Sequence, residues 1–186
     1  MELKGERLIP APIHKTWDAL NNPEVLKACI AGCESLERVG DDGFQALMAV
    51  RVGPVSAKFK GNLKMTNMQP PHSYTINFDG QGGVAGFGKG SADVSLVEES
   101  QQTRLSYVAR AQVGGKLAQV GSRLIDAAAG KIAEDFFKAF EVALVPADAA
   151  AAGLAVTPVA AAGRNKTLWW VVGAVVLVAV VYFLTR

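Results

Sequence analysis

The stretch KLAQVGSRLIDAAAGKIAEDFFKAFEVAL, residues 116–144, decides the fold. Its apolar residues recur every three or four positions, which is the period of an α-helix with one buried face. The stripe consists of Leu117, Val120, Leu124, Ala128, Ile132, Phe136 and Phe140, with Ile125 beside it. The pattern predicts one continuous helix over residues 116–144, about 42 Å long at 1.5 Å per residue. Gly121 and Gly130 would lie inside this helix.

The residues before this helix alternate between apolar and polar side chains, as a β-strand does when one face lies in a core. The clearest case is residues 55–69, where Ala57, Phe59, Gly61, Leu63 and Met65 share one face and Lys58, Lys60 and Lys64 the other. Strands are predicted at 2–9, 34–39, 44–52, 55–69, 74–78, 92–96 and 104–111, and two short helices at 13–20 and 24–30. Short turns and one polar face indicate an antiparallel sheet. We therefore predict an α+β fold of the helix-grip type, a curved antiparallel sheet around a long C-terminal helix.

The net positive charge of the chain belongs to the residues after 145. All but three of the 19 basic residues and all but one of the 17 acidic residues precede residue 146, so that part is neutral. Nucleic-acid-binding domains usually carry a basic excess on their folded part, and we expect no nucleic-acid partner. About 145 residues are enough to bury a full core, so residues 1–145 are predicted to form one domain.

The segment LWWVVGAVVLVAVVYFL, residues 168–184, contains no charged residue. As a helix, its 17 residues would span about 26 Å, close to the roughly 30 Å of a bilayer core. Trp169 and Trp170 at one end and Tyr182 at the other are typical of residues at the two membrane interfaces. The segment predicts one transmembrane helix, a C-terminal anchor.

The flanks of this segment complete the predicted organisation. Residues 146–166 are rich in alanine, with Pro146 and Pro158, and are predicted to be a linker to an anchor at 167–185. Arg164 and Lys166 precede the anchor, and the chain does not open on an apolar signal sequence. By the positive-inside rule, the N-terminal domain is expected in the cytoplasm, on a single-pass protein of the cell inner membrane.

The sequence does not indicate a catalytic or metal centre. Cys29 and Cys33 are too few for a disulfide framework or a zinc site, and we expect two small, buried or half-buried thiols. His14 and His72 have no catalytic partner at a recognisable spacing. No phosphate-binding loop or nucleophilic serine motif is present. We expect no catalytic residue, no metal and no covalent cofactor.

Three separated segments resemble one known family. They are VGGKLAQVGSRLIDAAAGKIAEDFFKAF at 113–140, ELKGERLIPAP at 2–12 with TWDALNNPEVLKACIAGCESLE at 16–37, and GGVAGFGKG at 82–90. Together they are similar to CoxG, a family of carbon monoxide dehydrogenase subunits. The resemblance covers about residues 1–144 and implies a START-like (SRPBCC) fold, whose members commonly hold an apolar ligand between sheet and helix. It also implies a link to molybdenum hydroxylases such as carbon monoxide dehydrogenase.

The space between sheet and helix is predicted to be either a filled core or a ligand cavity, and the resemblance favours the cavity. Its expected lining is Phe44, Phe59, Leu63, Met65, Ile76, Phe78, Leu105, Tyr107, Leu117, Val120, Leu124, Ile125 and Ala128. Tyr107 is the member with a hydrogen-bonding tip, which would orient a carbonyl or hydroxyl group. A respiratory quinone or another lipid is the expected hydrophobic ligand.

Two surface features are candidates for contact with a membrane or a partner protein. The first is the basic stripe of Lys58, Lys60 and Lys64, for which a plain solvated face is the favoured interpretation and contact with anionic lipid or an acidic partner the alternative. The second is the glycine-rich stretch at 80–90, interpreted either as a flexible hairpin loop or as a docking loop through Gly86, Phe87 and Gly88.

Three functions are compatible with the sequence. The first is a non-enzymatic, membrane-anchored accessory protein that binds a quinone or similar molecule and recruits a molybdenum hydroxylase to the membrane. The second is a recruiter or maturation factor without a ligand. The third is a START-like cyclase or dehydratase, which would require titratable groups in the interior, where the periodicity predicts none.

Overall fold

The computed structural model describes residues 1–145, and the predicted linker and transmembrane anchor lie outside the described residues. The strands are β1 Glu2–Ile9, β2 Cys33–Val39, β3 Gly43–Val52, β4 Val55–Gln69, β5 Ser73–Gln81, β6 Phe87–Glu99 and β7 Gln102–Gly114. The helices are α1 Ile13–Leu20, α2 Pro23–Cys29, α3 Lys116–Gln119 and α4 Ser122–Leu144, and a 3-10 turn covers Gly83–Ala85. The predicted α+β fold is confirmed for this part of the chain.

The seven strands form one curved antiparallel sheet in the order β1-β7-β6-β5-β4-β3-β2. Strands β2 to β7 are a meander, in which each strand pairs with the next along the chain. The first strand closes the other side by pairing with the last, so that Gly5 lies opposite Tyr107. Helices α1 and α2 therefore carry the chain from one edge of the sheet to the other.

Local sequence explains where the short helices begin and how they are held. Pro12 precedes α1, and Asn22 caps α2 by accepting hydrogen bonds from the backbone N–H groups of Glu24 and Val25, as asparagine does at helix N-termini. Thr16 of α1 is fully buried, and its hydroxyl lies 3.2 Å from that of Thr103 in β7. The Thr103 hydroxyl donates to the Ala11 carbonyl at 2.7 Å. These buried hydroxyl groups fix α1 against β7.

The C-terminal helix differs from the prediction of one continuous helix. It is broken into α3 and α4 at Gly121, whose φ of +92° is a left-handed conformation that favours glycine. The break changes which residues face inward on α4. Leu124 is 49% exposed, with its side chain near Gly53, whereas Ile125 is buried. Continuous helical periodicity was therefore the wrong basis for placing Leu124 in the interior.

Buried residues form two clusters at opposite ends of the space between sheet and helix. The larger cluster joins α1, α2 and the end of α4 to the sheet, and Ile9, Leu105 and Phe140 are its most buried members. The smaller cluster, Val52, Leu117 and Ile125, lies where α3 and the start of α4 meet the β3–β4 hairpin. The region between the two clusters is the candidate site.

Both cysteines are free in the described structure. Cys29 is buried at the end of α2 and Cys33 is half-buried at the start of β2. Burial raises the pKa of both thiols. These positions match the predicted pair of small, buried or half-buried thiols.

Candidate ligand cavity

An apolar cavity of about 580 Å³ lies between the inner face of the sheet and helix α4. This volume is within the range of about 300–1,000 Å³ that is usual for small-molecule sites. Of the predicted lining residues, Phe44, Phe59, Leu63, Met65, Ile76, Phe78, Leu105, Tyr107, Leu117, Ile125 and Ala128 border it. Val120 and Leu124 do not: Val120 packs against Val52, Leu117 and Ile125, and Leu124 is turned toward solvent where α4 restarts after Gly121.

Small side chains on both walls leave this space open. On the sheet, Gly88, Ala92, Ala109 and Ala111 border the cavity, and on α4 Ala128, Ala129 and Ala133 do. Protein interiors are otherwise close-packed, so facing rows of alanine and glycine, flanked by the two buried clusters, account for the void. Gly121 and Gly130 do not border the cavity.

The cavity reaches the surface beside the edge strand β1. Met1 and Ile132 both border it and are 39% and 38% exposed. Met1 is held against β7, because its amino group donates to the Ala111 carbonyl at 2.9 Å and its carbonyl accepts from the Ala111 N–H at 3.1 Å. A mouth therefore lies between the N-terminal end of β1 and the middle of α4.

The opposite end of the cavity is closed by buried residues. Leu20, Leu36, Met65 and Tyr74 border it there and are each less than 9% exposed. The ring of Trp17 packs edge to face on Tyr74, with ring centroids 5.3 Å apart. The cavity therefore ends on this side among buried, apolar and tightly packed residues.

The lining contains almost no polar chemistry. Among the described residues that border the cavity, Tyr74 and Tyr107 alone have a hydrogen-bonding side chain, and none is an Asp, Glu, His, Lys or Arg. Burial strongly raises the pKa of the Tyr74 hydroxyl, because the charged phenolate would lose its hydration there. Tyr74 therefore stays protonated across the physiological range.

Tyr107 lies in the cavity as predicted, but its tip points to the sheet edge. Its ring stacks on Phe137, with centroids 5.3 Å apart and an angle of 26° between the planes. A Cβ on Gly5 would lie 2.7 Å from the Tyr107 hydroxyl oxygen. The ring thus covers the glycine of edge strand β1, and the absence of a side chain at Gly5 makes room for it.

Several lining residues were not predicted from sequence. They are chiefly Leu26, Ile30, Met48, Tyr74, Val94, Ala129, Ala133 and Phe137. Tyr74 had a usable signal, since the period of two in β5 places it on the same face as Ile76 and Phe78, both of which were predicted. The α4 residues Ala129, Ala133 and Phe137 also had one, since they follow the predicted Ile125 at steps of four residues along the same helix face.

The predicted surface-contact residues do not form one patch. Lys58, Lys60 and Lys64 are exposed on the outer face of the sheet. Lys58 forms an ion pair with Glu34 at 2.8 Å, and Lys64 lies 3.7 Å from Asp42. These acidic neighbours offset part of the positive charge of the stripe.

The glycine-rich stretch is mostly strand, not a free hairpin loop. Gly86 is pressed against the backbone of Gly114, where a side chain would not fit, and Phe87 covers Gly114. Gly88 instead borders the cavity. Only residues 82–86 separate β5 from β6, so the expectation of a flexible loop over 80–90 was wrong. Close backbone approach explains why glycines occur there.

Two kinds of feature are absent from the described residues. Within residues 1–145, no group of three His, Cys, Asp or Glu side chains is placed to hold a metal ion. No helix in that same part of the chain is long and apolar enough to cross a membrane.

A curved antiparallel sheet packed around a C-terminal helix over an apolar cavity is a START-like fold. Comparison with solved structures agrees: an aromatase/cyclase from Streptomyces matches 80% of this chain and 97% of its own, with 12% identity and a TM-score of 0.57. A protein from Thermus thermophilus matches 78% of this chain and 97% of its own, with 16% identity and a TM-score of 0.60. At these identities the likeness concerns the fold alone.

The family is shown by more specific matches. The model of CoxG, a carbon monoxide dehydrogenase subunit, matches residues 5–145, and the chain belongs to this family. A conserved protein from Geobacillus kaustophilus is 30% identical over 77% of this chain and 95% of its own, with a TM-score of 0.73. Among curated proteins, none matches the chain significantly.

Proposed function

We propose that the protein is a non-enzymatic accessory subunit that carries a hydrophobic molecule, such as a respiratory quinone, for a molybdenum hydroxylase of the carbon monoxide dehydrogenase type. The observation that carries this proposal is the cavity of about 580 Å³ with an apolar lining. A binding site without charge selects ligands by the apolar surface they bury, at about 25 cal/mol per Å². Long-chain quinones and other lipids are such ligands.

The lining supports binding more than catalysis. General acid–base chemistry needs a side chain whose pKa lies near the working pH, and the described lining has no Asp, Glu, His or Lys. Tyr74 titrates far above that range because of its burial. An enzymatic role has one observation in its favour, the structural likeness to an aromatase/cyclase, and it would require chemistry driven by Tyr74 or Tyr107 alone.

The partner is inferred from the family. The family name links this chain to carbon monoxide dehydrogenase, and we take a molybdenum hydroxylase of that type as the partner. A polyprenyl quinone is too insoluble in water to diffuse to a soluble enzyme. A cavity that shields the quinone would bring a lipophilic electron acceptor to the enzyme's surface.

Membrane attachment is the third part of the proposal. It rests on the uncharged run at 168–184, which is long enough to cross most of a bilayer core. A linker of 21 residues, 146–166, would reach about 25 Å on average as a flexible chain and about 70 Å when extended. The cytoplasmic domain would then meet the inner membrane to load its ligand and stand away from it to meet the enzyme.

The direct test is to identify what the protein carries. The full-length chain is extracted from native membranes in mild detergent, and its organic-soluble contents are analysed by mass spectrometry. The proposal predicts a quinone or another lipid at close to one molecule per chain. An Ala128→Phe variant, in which a large side chain enters the cavity, is the matched control and should carry much less. Equal, trace amounts in both would favour a recruiter without a ligand.

A further inference from the structure

We infer that Tyr74 holds the polar head of the ligand at the closed end of the cavity, so that the ligand binds head first with its apolar chain toward Met1. This inference rests on the proposed function and adds the orientation and chemical class of the ligand. The ligand is an amphiphile with a hydrogen-bond acceptor, such as a carbonyl oxygen, at one end.

The first observation is the burial of Tyr74 within the lining. Its side chain is 4% exposed and borders the cavity from β5. Trp17 packs against its ring with centroids 5.3 Å apart and planes at 77°. This contact fixes the ring from the side of α1, and the Tyr74 hydroxyl is one of the two side-chain polar groups in the described lining, the other being that of Tyr107.

The second observation is that the Tyr74 hydroxyl has no hydrogen-bond partner among the described residues. Buried tyrosine hydroxyls normally find a partner. No described side-chain polar atom that is sealed from solvent lacks one, so the Tyr74 oxygen retains some accessible surface, and the residue borders the cavity. The missing partner is therefore a group that enters the cavity.

Other buried hydroxyl groups show that the fold satisfies its own polar groups. Thr16 and Thr103 are fully buried, and both reach the Ala11 carbonyl, Thr103 at 2.7 Å and Thr16 at 3.4 Å. Thr16 and Thr103 also contact each other at 3.2 Å. These hydroxyls hold α1 on β7 and need no ligand. Tyr74, which is about as deeply buried, differs in having no such bond.

Sheet register gives the distance between Tyr74 and the mouth. Tyr74 lies opposite Val94, which lies opposite Tyr107, so these residues form one row across β5, β6 and β7. Ala111, which holds Met1, is four residues further along β7. Four residues of strand are about 14 Å, and two inter-strand steps are about 10 Å. An elongated ligand therefore fits between Tyr74 and the mouth.

The wall along this path is apolar and lined by small residues. Ala92 and Ala109 lie on the sheet, and Ala129 and Ala133 lie on α4. An alkyl or prenyl chain would lose contact with water along the whole path. Of the two side-chain hydroxyl groups in the described lining, that of Tyr107 lies against Gly5 of the edge strand, so a polar head is expected to reach the Tyr74 hydroxyl at the closed end. This asymmetry sets the orientation of the ligand.

The test uses the full-length chain in one detergent at one concentration, with Tyr74→Phe and Tyr107→Phe as matched variants that each lose one oxygen atom. The probes are decyl-1,4-benzoquinone and decylbenzene, which share a ring and chain but differ in the carbonyl oxygens. Calorimetric titration gives each Kd, with decylbenzene measured by competition. Uptake by the micelle is the same in every titration, so ratios of Kd between variants are independent of it.

Tyr74→Phe should weaken decyl-1,4-benzoquinone binding about tenfold, the size of one hydrogen bond to a buried group, and leave decylbenzene binding unchanged. Tyr107→Phe should stay within about twofold of the parent. The infrared carbonyl band of the bound quinone should lie below its position in hydrocarbon solvent in the parent and return to that position in Tyr74→Phe.

Three results would overturn this inference while leaving the proposed function intact. They are equal quinone binding by the parent and Tyr74→Phe, a larger loss in Tyr107→Phe, and an unshifted carbonyl band in the parent. If Tyr74→Phe fails to fold, the position of the quinone carbonyl band in the parent still tests whether the carbonyl accepts a hydrogen bond. Failure of the parent to bind either probe would instead contradict the proposed function itself.

Discussion

The ring of Trp17 meets the ring of Tyr74 edge to face at the closed end of the cavity, with centroids 5.3 Å apart and planes inclined by 77°. Edge-to-face pairs of this kind add about 0.5–1.5 kcal/mol to the free energy of burial. The contact ties the first helix to the middle of the sheet. It also removes the Tyr74 phenol from water, which gives the residue an unusual titration.

Stability above about pH 10 should depend on Tyr74. Burial raises the pKa of its hydroxyl above the ordinary value of 10.0, so the folded chain holds this proton more tightly than the unfolded chain does. The stabilising contribution is complete below pH 10 and is lost as the pH rises through and beyond that value. Tyr74→Phe has no such proton, so its thermal midpoint should fall less between about pH 8 and about pH 11.

Tyr107→Phe retains the Tyr74 hydroxyl and is the matched control for the loss of one phenol oxygen. At neutral pH the midpoint of Tyr74→Phe should match that of the parent, because its hydroxyl makes no hydrogen bond with the described residues. Parallel pH curves for the parent and Tyr74→Phe would show that burial does not shift this group.

Gly121 and Gly130 should respond to alanine in opposite directions. Gly121 has a φ of +92°, which strains any side chain, whereas Gly130 lies within α4. Neither position is crowded, since a Cβ on either contacts nothing within 4 Å. We expect Gly121→Ala to lower the free energy of unfolding by about 1 kcal/mol or more, and Gly130→Ala to raise it by about 0.5–1 kcal/mol. Thermal unfolding of both variants measures this, and equal effects would mean that the helix is continuous through Gly121.

The interruption of the helix at Gly121 could not be predicted from the sequence, whereas other elements could. The period of two in residues 55–69 predicted β4 with the bounds found, Val55–Gln69, because one face of that strand is apolar and the other polar. The helical period of residues 116–144 predicted a helix but not its interruption, since a pattern of apolar residues carries no information on the sign of φ. The error placed Leu124 in the interior, and following the stripe from Leu124 instead of Ile125 omitted Ala129 and Ala133, so the cavity wall on α4 was incompletely predicted.

If the basic stripe binds a membrane or a partner protein, that binding should depend on the positive charge of its lysines. Changing Lys58, Lys60 and Lys64 to Glu should weaken binding to anionic lipid vesicles or to the hydroxylase, most strongly at low salt, because exposed charges are screened by ions. Thermal stability should change by less than about 1 kcal/mol, since the pairs of Lys58 and Lys64 are exposed.

A variant with the same net charge tests whether the position of the lysines matters. Lys27, Lys131 and Lys138 lie on helices away from the outer face of the sheet, and their replacement by Glu should leave association nearly unchanged. If both triple variants bind vesicles and hydroxylase as the parent does at low salt, the stripe is a solvated face and nothing more.

The uncharged segment at 168–184 should hold the protein in the membrane fraction. The full-length chain is expected to sediment with membranes and to resist carbonate and high-salt washing, because a span of about 17 apolar residues partitions into the bilayer core. A chain ending at residue 145 should remain in the supernatant. A full-length chain that is soluble without detergent would contradict the predicted anchor.

The central claim, that the space between sheet and helix is a ligand site, is tested most directly by filling it. Ala128 borders the cavity, whereas its neighbour Ala127 is exposed on the same helix. Phenylalanine at residue 127 is therefore the control for phenylalanine at residue 128. In a close-packed core such added volume typically costs about 1–3 kcal/mol, but an empty cavity accepts it.

The measurement is titration of the parent, Ala127→Phe and Ala128→Phe with decyl-1,4-benzoquinone, followed by the thermal midpoint at each concentration. The midpoints of the parent and Ala127→Phe should rise as ligand is added, because a ligand that binds the folded state stabilises it. Ala128→Phe should start near the parent's midpoint and show no rise. An Ala128→Phe variant that is severely destabilised, beside a parent whose midpoint the quinone does not move, would show that the interior is filled.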